Sequence, residues 1–210
     1  MKHVENPTIS NSEFVARRER VLRSLARDGN AIGLVLAGDA DHSLSNAWRP
    51  NPNFEYLTGI TDEAGAILLL DPGHPVKARR VQLYLRPLNS ELERWDGFRE
   101  PVSAALKSRY GIETIMRTNS FSRFLLESAK RAKRFACLHP FSPHTAPISA
   151  DLAIIRDSTS RIPGSTIGDQ TQLLPSMRAV KSAAEIACVQ RACDITAVGF
   201  AAALLAAKPG

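Results

Sequence analysis

An α/β fold, a sheet covered by helices on its faces, is what this sequence predicts, and three observations point to it. Short apolar runs suited to strands alternate with stretches of helical periodicity from about residue 10 to residue 140. The run Ala31-Ile32-Gly33-Leu34-Val35-Leu36-Ala37-Gly38 is continuously apolar, as strands covered on both sides are. Near the end, Ser182 and Glu185 form a capping box ahead of an Ala-rich helical run that stops at Lys208-Pro209-Gly210, the signature of one more helix that needs further elements to pack on.

The elements follow in order. Residues 1–9 read as a loose tail. Ser10-Asn11-Ser12-Glu13 caps a first helix, in which Phe14, Val21, Leu22 and Leu25 recur at helical spacing to about Arg27. Asp28-Gly29-Asn30 breaks it before the apolar strand. Residues 39–53 are polar and carry Pro50 and Pro52, so they read as a loop entering Phe54-Glu55-Tyr56-Leu57-Thr58-Gly59, whose aromatics pin it to the core. Ala66 to Leu70 and Arg80 to Leu85 are strands separated by the turn Asp71-Pro72-Gly73, which predicts a hairpin. Alternation in the second strand puts Val81, Leu83 and Leu85 on one face and Arg80, Gln82 and Tyr84 on the other.

Val102 to Tyr110 reads as a helix closed by Gly111, Ile112 to Met116 as a strand, Phe121 to Arg134 as a helix and Phe135 to Leu138 as a strand. His139 to Pro175 is rich in Pro, Ser, Thr and Gly, interrupted by Leu152-Ala153-Ile154-Ile155, and reads as the approach to a second domain.

Composition narrows the classes. With 44% hydrophobic and 23% charged residues in 210, the chain suits one core or slightly more, and a disordered protein is excluded. Met1 to Pro7 has no apolar signal core, and no segment offers the ~18 uncharged apolar residues of a membrane span. A soluble, cytoplasmic protein without membrane contact is the expectation. Cys137, Cys188 and Cys193 are odd in number and lack metal-finger spacing, so buried free thiols are expected and Cys188 is placed in the core. The net charge of +6 raises nucleic acid as a partner. The cluster Lys130, Arg131, Lys133 and Arg134, however, closes a helix, where cations complement the negative end of the dipole, and no aromatics interleave with it. It reads as a solvated helix end, and no nucleic-acid partner is expected.

Candidate chemistry is sparse. The histidines form no His-x-x-His pattern and no metal site assembles from them; Asp39, Asp41 and His42 read as turn and cap residues rather than ligands. No serine sits in Gly-x-Ser-x-Gly, and no phosphate-binding glycine loop is present. Trp95, amid charges and beside Asp96-Gly97, is either a loop residue covering the sheet edge or a ligand or subunit contact. Spacing alone leaves that choice open.

Three segments resemble the aminopeptidase P and prolidase family. Phe14 to Arg18 is similar to its opening helix. Arg49-Pro50-Asn51-Pro52-Asn53-Phe54-Glu55-Tyr56-Leu57-Thr58-Gly59 is similar to its long Arg-x-Asn-x-x-Phe-x-Tyr-x-Thr-Gly signature. Arg178-Ala179-Val180-Lys181-Ser182 with Glu185-Ile186, then Ala192, Ile195-Thr196 and Pro209-Gly210, resembles the entry into its catalytic fold. The resemblance implies a mixed sheet flanked by helices over residues 10–173, of the creatinase-type N-terminal kind. Residues 174–210 would then open a truncated catalytic domain of pita-bread fold.

In that family the catalytic domain holds two divalent metals, usually manganese, through two Asp, one His and two Glu, and a metal-bridging hydroxide attacks the bond before proline. Those ligand motifs lie downstream of the matched segments, so the resemblance implies no catalytic residue, no metal ligand and no cofactor in this chain. The expectation is the substrate-restricting, oligomerising N-terminal portion of a manganese-dependent Xaa-Pro aminopeptidase, inactive alone and assembling as a homo-oligomer. Its peptide substrate would bind only in the full-length context. Trp95 resembles a Trp of bacterial aminopeptidase P that reaches toward a neighbouring subunit's active site, which makes it the substrate-binding candidate. The alternative is a stand-alone, non-enzymatic binding or oligomerisation module, since a sheet edge and loops offer protein contacts without metal.

Overall fold

The structure is a computed structural model that describes residues 6–39 and 48–208, with the side chains of Trp95 and Asp96 outside the description. Asp41 and His42 also lie outside the described residues. Six strands form one mixed sheet: β1 (Ile32–Leu36), β2 (Ile67–Leu70), β3 (Val81–Leu85), β4 (Thr114–Arg117), β5 (Arg134–Cys137) and β6 (Thr166–Asp169). Their order is β4-β3-β2-β1-β5-β6. The predicted hairpin is present, with Leu68 opposite Leu83 in the antiparallel β2–β3 pair. Strand β2 is also antiparallel to β1, whereas β1–β5, β3–β4 and β5–β6 are parallel.

Among the described residues there are eight α-helices: α1 (Asn11–Arg27), α2 (Pro52–Thr58), α3 (Glu93–Asp96), α4 (Ala104–Tyr110), α5 (Phe121–Ala132), α6 (Ala150–Arg161), α7 (Leu173–Ala179) and α8 (Ala183–Ala206). Apolar side chains of α1, α2, α4 and α7 bury one sheet face around Val35, Leu68, Leu70, Leu83 and Leu85. Those of α5 and α6 bury the other around Ile32, Leu34, Leu69, Tyr84 and Phe135. The sheet is thus the middle of three layers, and the alternation along β3 divides its residues between two cores rather than between core and water. Gln82 and Tyr84 are 1% and 0% exposed, and the Tyr84 hydroxyl donates to Gln82 Oε1 at 2.7 Å, which satisfies both polar groups.

The structure corrects four readings. The loop read over residues 39–53 gives way to helix α2 at Pro52, begun by that proline and by the Asn51 side chain, which accepts from the Asn53 N–H. The stretch after His139 holds helix α6 and edge strand β6. The basic cluster is divided by its partners: Arg131 pairs with Asp71, which is fully buried, and Arg134 opens β5 and bonds Asp28 at 2.6 Å. Of the three free thiols only Cys137 is buried; Cys188 is half-buried and Cys193 exposed.

Helix α8 has no buried residue. Its capping box is complete: Ser182 Oγ accepts from the Glu185 N–H at 3.2 Å and Glu185 Oε2 accepts from the Ser182 N–H at 2.9 Å. By length and composition it is long and apolar enough to cross a membrane. The sequence reading passed it over because that reading required an uncharged run, and Arg191 and Asp194 stand within the helix.

Candidate functional site

The densest polar construction joins α1, α2, α7 and the start of α8. It begins with α1, whose inward stripe of Phe14, Val21 and Leu25 also contains two arginines, Arg17 and Arg18, both nearly fully buried. Buried guanidinium groups require acceptors, and the C-terminal carbonyls of short helix α2 supply them. Arg18 donates to the Leu57 carbonyl at 2.8 Å and to the Gly111 carbonyl at 2.7 Å, tying α1 to α2 and to the end of α4. Loss of water pulls the Arg18 pKa down to about 10.

Arg17 is the hub. It donates to the Tyr56 carbonyl at 3.0 Å and its guanidinium lies over the Tyr56 ring, 4.1 Å from the centroid. It pairs with Glu13 one turn earlier and with Glu185 Oε1 at 3.4 Å. Glu185 therefore caps α8 with one oxygen and reaches α1 with the other. The Tyr56 hydroxyl donates to the Met177 carbonyl at 3.1 Å, and Arg178 donates to Asn53 Oδ1 at 2.9 Å. Burial pushes the Tyr56 phenol pKa up, so the hydroxyl stays protonated and able to donate.

This geometry accounts for most positions of the Arg49-to-Gly59 signature. Asn51 and Pro52 start α2, Asn53 holds Arg178, Phe54 and Leu57 fill the core, and Tyr56 spans to α7. Thr58 donates back to the Phe54 carbonyl at 2.7 Å. Gly59 ends the helix at φ 70°, and a Cβ there would lie 2.4 Å from the Phe14 ring, so both conformation and space demand glycine. The signature is a bracket that fixes α7 and the first turn of α8 against the sheet domain. The N-terminal segment joins it: the Cys188 thiol donates to the Pro7 carbonyl at 3.4 Å, and Arg191 donates to Asn6 at 3.2 Å.

No group poised for bond-breaking belongs to the bracket, and among the described residues no three His, Cys, Asp or Glu side chains gather to hold a metal ion. Trp95 lies in α3, a single turn between β3 and α4, away from the bracket in sequence, and its side chain is outside the description. Sequence reasoning missed Arg17, Asn53 and Arg178 as partners. A signal was present for the first: Arg17 and Arg18 occupy the apolar stripe of α1, where an unpaired charge is not tolerated.

A family model described as the aminopeptidase P N-terminal domain matches residues 14–137, which include the signature helix and strands β1 to β5. The chain belongs to that family. Intermediate cleaving peptidase 55 of Schizosaccharomyces pombe is 29% identical over 195 residues, covering 90% of this chain and 39% of its own length. A Xaa-Pro aminopeptidase of Haemophilus influenzae is 28% identical over 207 residues, covering 96% and 44%. The chain thus spans well under half the length of these relatives. The fold is that of aminopeptidase PepP of Pseudomonas aeruginosa, with a TM-score of 0.76 at 22% identity over 96% of this chain and 46% of that one. Proline aminopeptidase P II of Yersinia pestis aligns with a TM-score of 0.75 over 96% and 47%.

Proposed function

We propose that this chain is the N-terminal, substrate-restricting and oligomerising part of a metal-dependent Xaa-Pro aminopeptidase, and that residues 174–210 open its catalytic domain. The observation that carries the reading is the bracket itself. Arg17, Tyr56 and Asn53 hold α7 and the cap of α8 firmly, yet the 24-residue apolar helix that follows has no buried residue. A helix anchored at one end and apolar along its length is a docking element for further protein. Arg191 and Asp194 in its middle favour a protein partner over lipid, where charges are costly.

On this reading the chain contributes no bond-breaking group. The groups that would hold two divalent metals and supply a hydroxide for the bond before proline would lie in the catalytic domain that residues 174–210 open. The part played here is positional: a rigid sheet domain sets the wall of the cleft, and the bracket sets its orientation.

The first test is the intact mass of the polypeptide in its source. A mass near 22.9 kDa overturns the reading and leaves a stand-alone binding module. A product of about twice that size, with manganese-dependent release of the residue before proline from short peptides, supports it.

A further inference from the structure

The sheet has a second feature that the bracket does not use. Strands β1 and β5 are parallel neighbours, but the chain leaves β1 toward β2 on one side and leaves β5 toward β6 on the other. Such a switch of direction opens a crevice beyond the carboxyl ends of the two strands, where ligands of open α/β sheets bind. A cavity of about 470 Å³ occupies that place, between the end of β1, the start of β2 and the first turn of α6, within the ~300–1,000 Å³ span of small-molecule clefts.

Its polar lining is incomplete in a specific way. His139, 8% exposed, and Asp151, 2% exposed, both border the cavity. His139 Nε2 and Asp151 Oδ2 are 3.8 Å apart, too far to bond, and neither atom has a hydrogen-bond partner. Buried polar atoms are satisfied in the great majority of cases, so two of them together on one cavity wall mark a place for a ligand donor. Asp39 adds a second carboxylate at the mouth. Among the described residues these three side chains do not converge closely enough to hold a metal ion, so the donor they suit is an organic ammonium group.

The opposite charge is met by the helix. The Ser149 side chain makes no capping bond to α6, and Ser149, Ala150 and Asp151 line this wall, so the positive end of a 12-residue helix borders it. Leu36, Ile67 and Ile154 supply apolar surface beside them. Carboxylates and a helix N-terminus in one apolar-walled cavity match a molecule that carries an ammonium, a carboxylate and a short hydrocarbon branch.

We propose that this cavity binds a free aliphatic α-amino acid, its ammonium on Asp151 and Asp39, its carboxylate on the first turn of α6, and its side chain against Leu36, Ile67 and Ile154. The inference stands independently of the peptidase reading, although an amino acid is also what an aminopeptidase releases.

The test is titration of the isotope-labelled chain with L-leucine, followed through its amide spectrum. Isoamylamine, which lacks the carboxylate, and isocaproic acid, which lacks the ammonium, serve as comparators. Saturable shifts at Leu36, Ile67, Ala150 and Asp151, with each comparator weaker by about tenfold or more, are expected, because each loses a charge-assisted contact. Asp151→Asn should weaken leucine similarly, and exposed Asp39→Asn, which leaves the fold intact, should weaken it by about threefold or more. Absence of saturable shifts, shifts confined to other regions, comparators binding as well as leucine, or undiminished binding by Asp39→Asn would each overturn the proposal.

Discussion

Glu185 carries two bonds with its two carboxylate oxygens: Oε2 accepts the Ser182 N–H at the head of α8, and Oε1 lies 3.4 Å from Arg17 of α1. A helix cap and an inter-element tie are thereby the same side chain. Because a cap fixes where a helix starts and the tie fixes where that start sits, α8 leaves the domain in a set direction.

Arg17→Met should weaken this joint, since it leaves the buried Tyr56 carbonyl without a donor and Glu185 without a cation. A loss of about 2–3 kcal/mol in denaturant unfolding is expected. Glu185→Gln keeps the cap, because Gln serves equally at that position, and removes only the ion pair, so it should cost about 0.5–1 kcal/mol. The double substitution should fall short of the sum; strict additivity would show that the two residues do not communicate.

Gly59→Ala combines an unfavourable positive φ with a collision against the Phe14 ring. Destabilisation of about 2–4 kcal/mol is expected. Phe14→Leu in the same chain should recover part of it by vacating the ring's volume. Thermal unfolding of both variants beside the parent checks this, and an unaffected Gly59→Ala protein would refute the packing argument.

Burial raises the Glu63 pKa, with the charge of Asp62 acting in the same direction. The folded protein therefore holds the Glu63 proton more tightly than the unfolded chain. The associated stability is fully present below the unfolded value near 4.5 and is lost as pH rises through the raised folded value. Glu63→Gln abolishes that slope, so stability of the parent relative to this variant should decline from acid toward neutral pH. Urea midpoints for both proteins across that interval measure it; parallel curves would contradict the assignment.

Trp95→Ala, made in a longer polypeptide with Xaa-Pro cleavage, should raise KM for peptides several-fold and leave kcat near its original value, the pattern of a lost binding contact. Unchanged KM would remove Trp95 from the substrate site and leave it a residue of the single turn α3.

The cases that sequence missed share a feature. Helix α6 buries Asp151, Ile155 and Ser158, a face with one apolar residue in three, so no hydrophobic stripe announces it. Strand β6 buries only Gly168, because as an edge strand it has little core to face. Arg131 and Arg134 looked like a solvated helix end because their partners, Asp71 and Asp28, are far away in sequence.

By itself the sequence determined the local decisions: the caps at Ser10, Ser182 and Gly111, five of the six described strands of the sheet, the β2–β3 hairpin and the family, through a signature whose residues are read in order. Those depend on backbone hydrogen bonding and side-chain periodicity within a few residues, which a linear text contains. Only the tertiary structure decided the strand order, the burial of both faces of β3, the meeting of Arg17 with Glu185, and the pairing of Arg131 with Asp71. Each joins groups distant along the chain, and what selects them is the cost of leaving a buried charge or polar atom unpaired, which is defined only once the chain has folded.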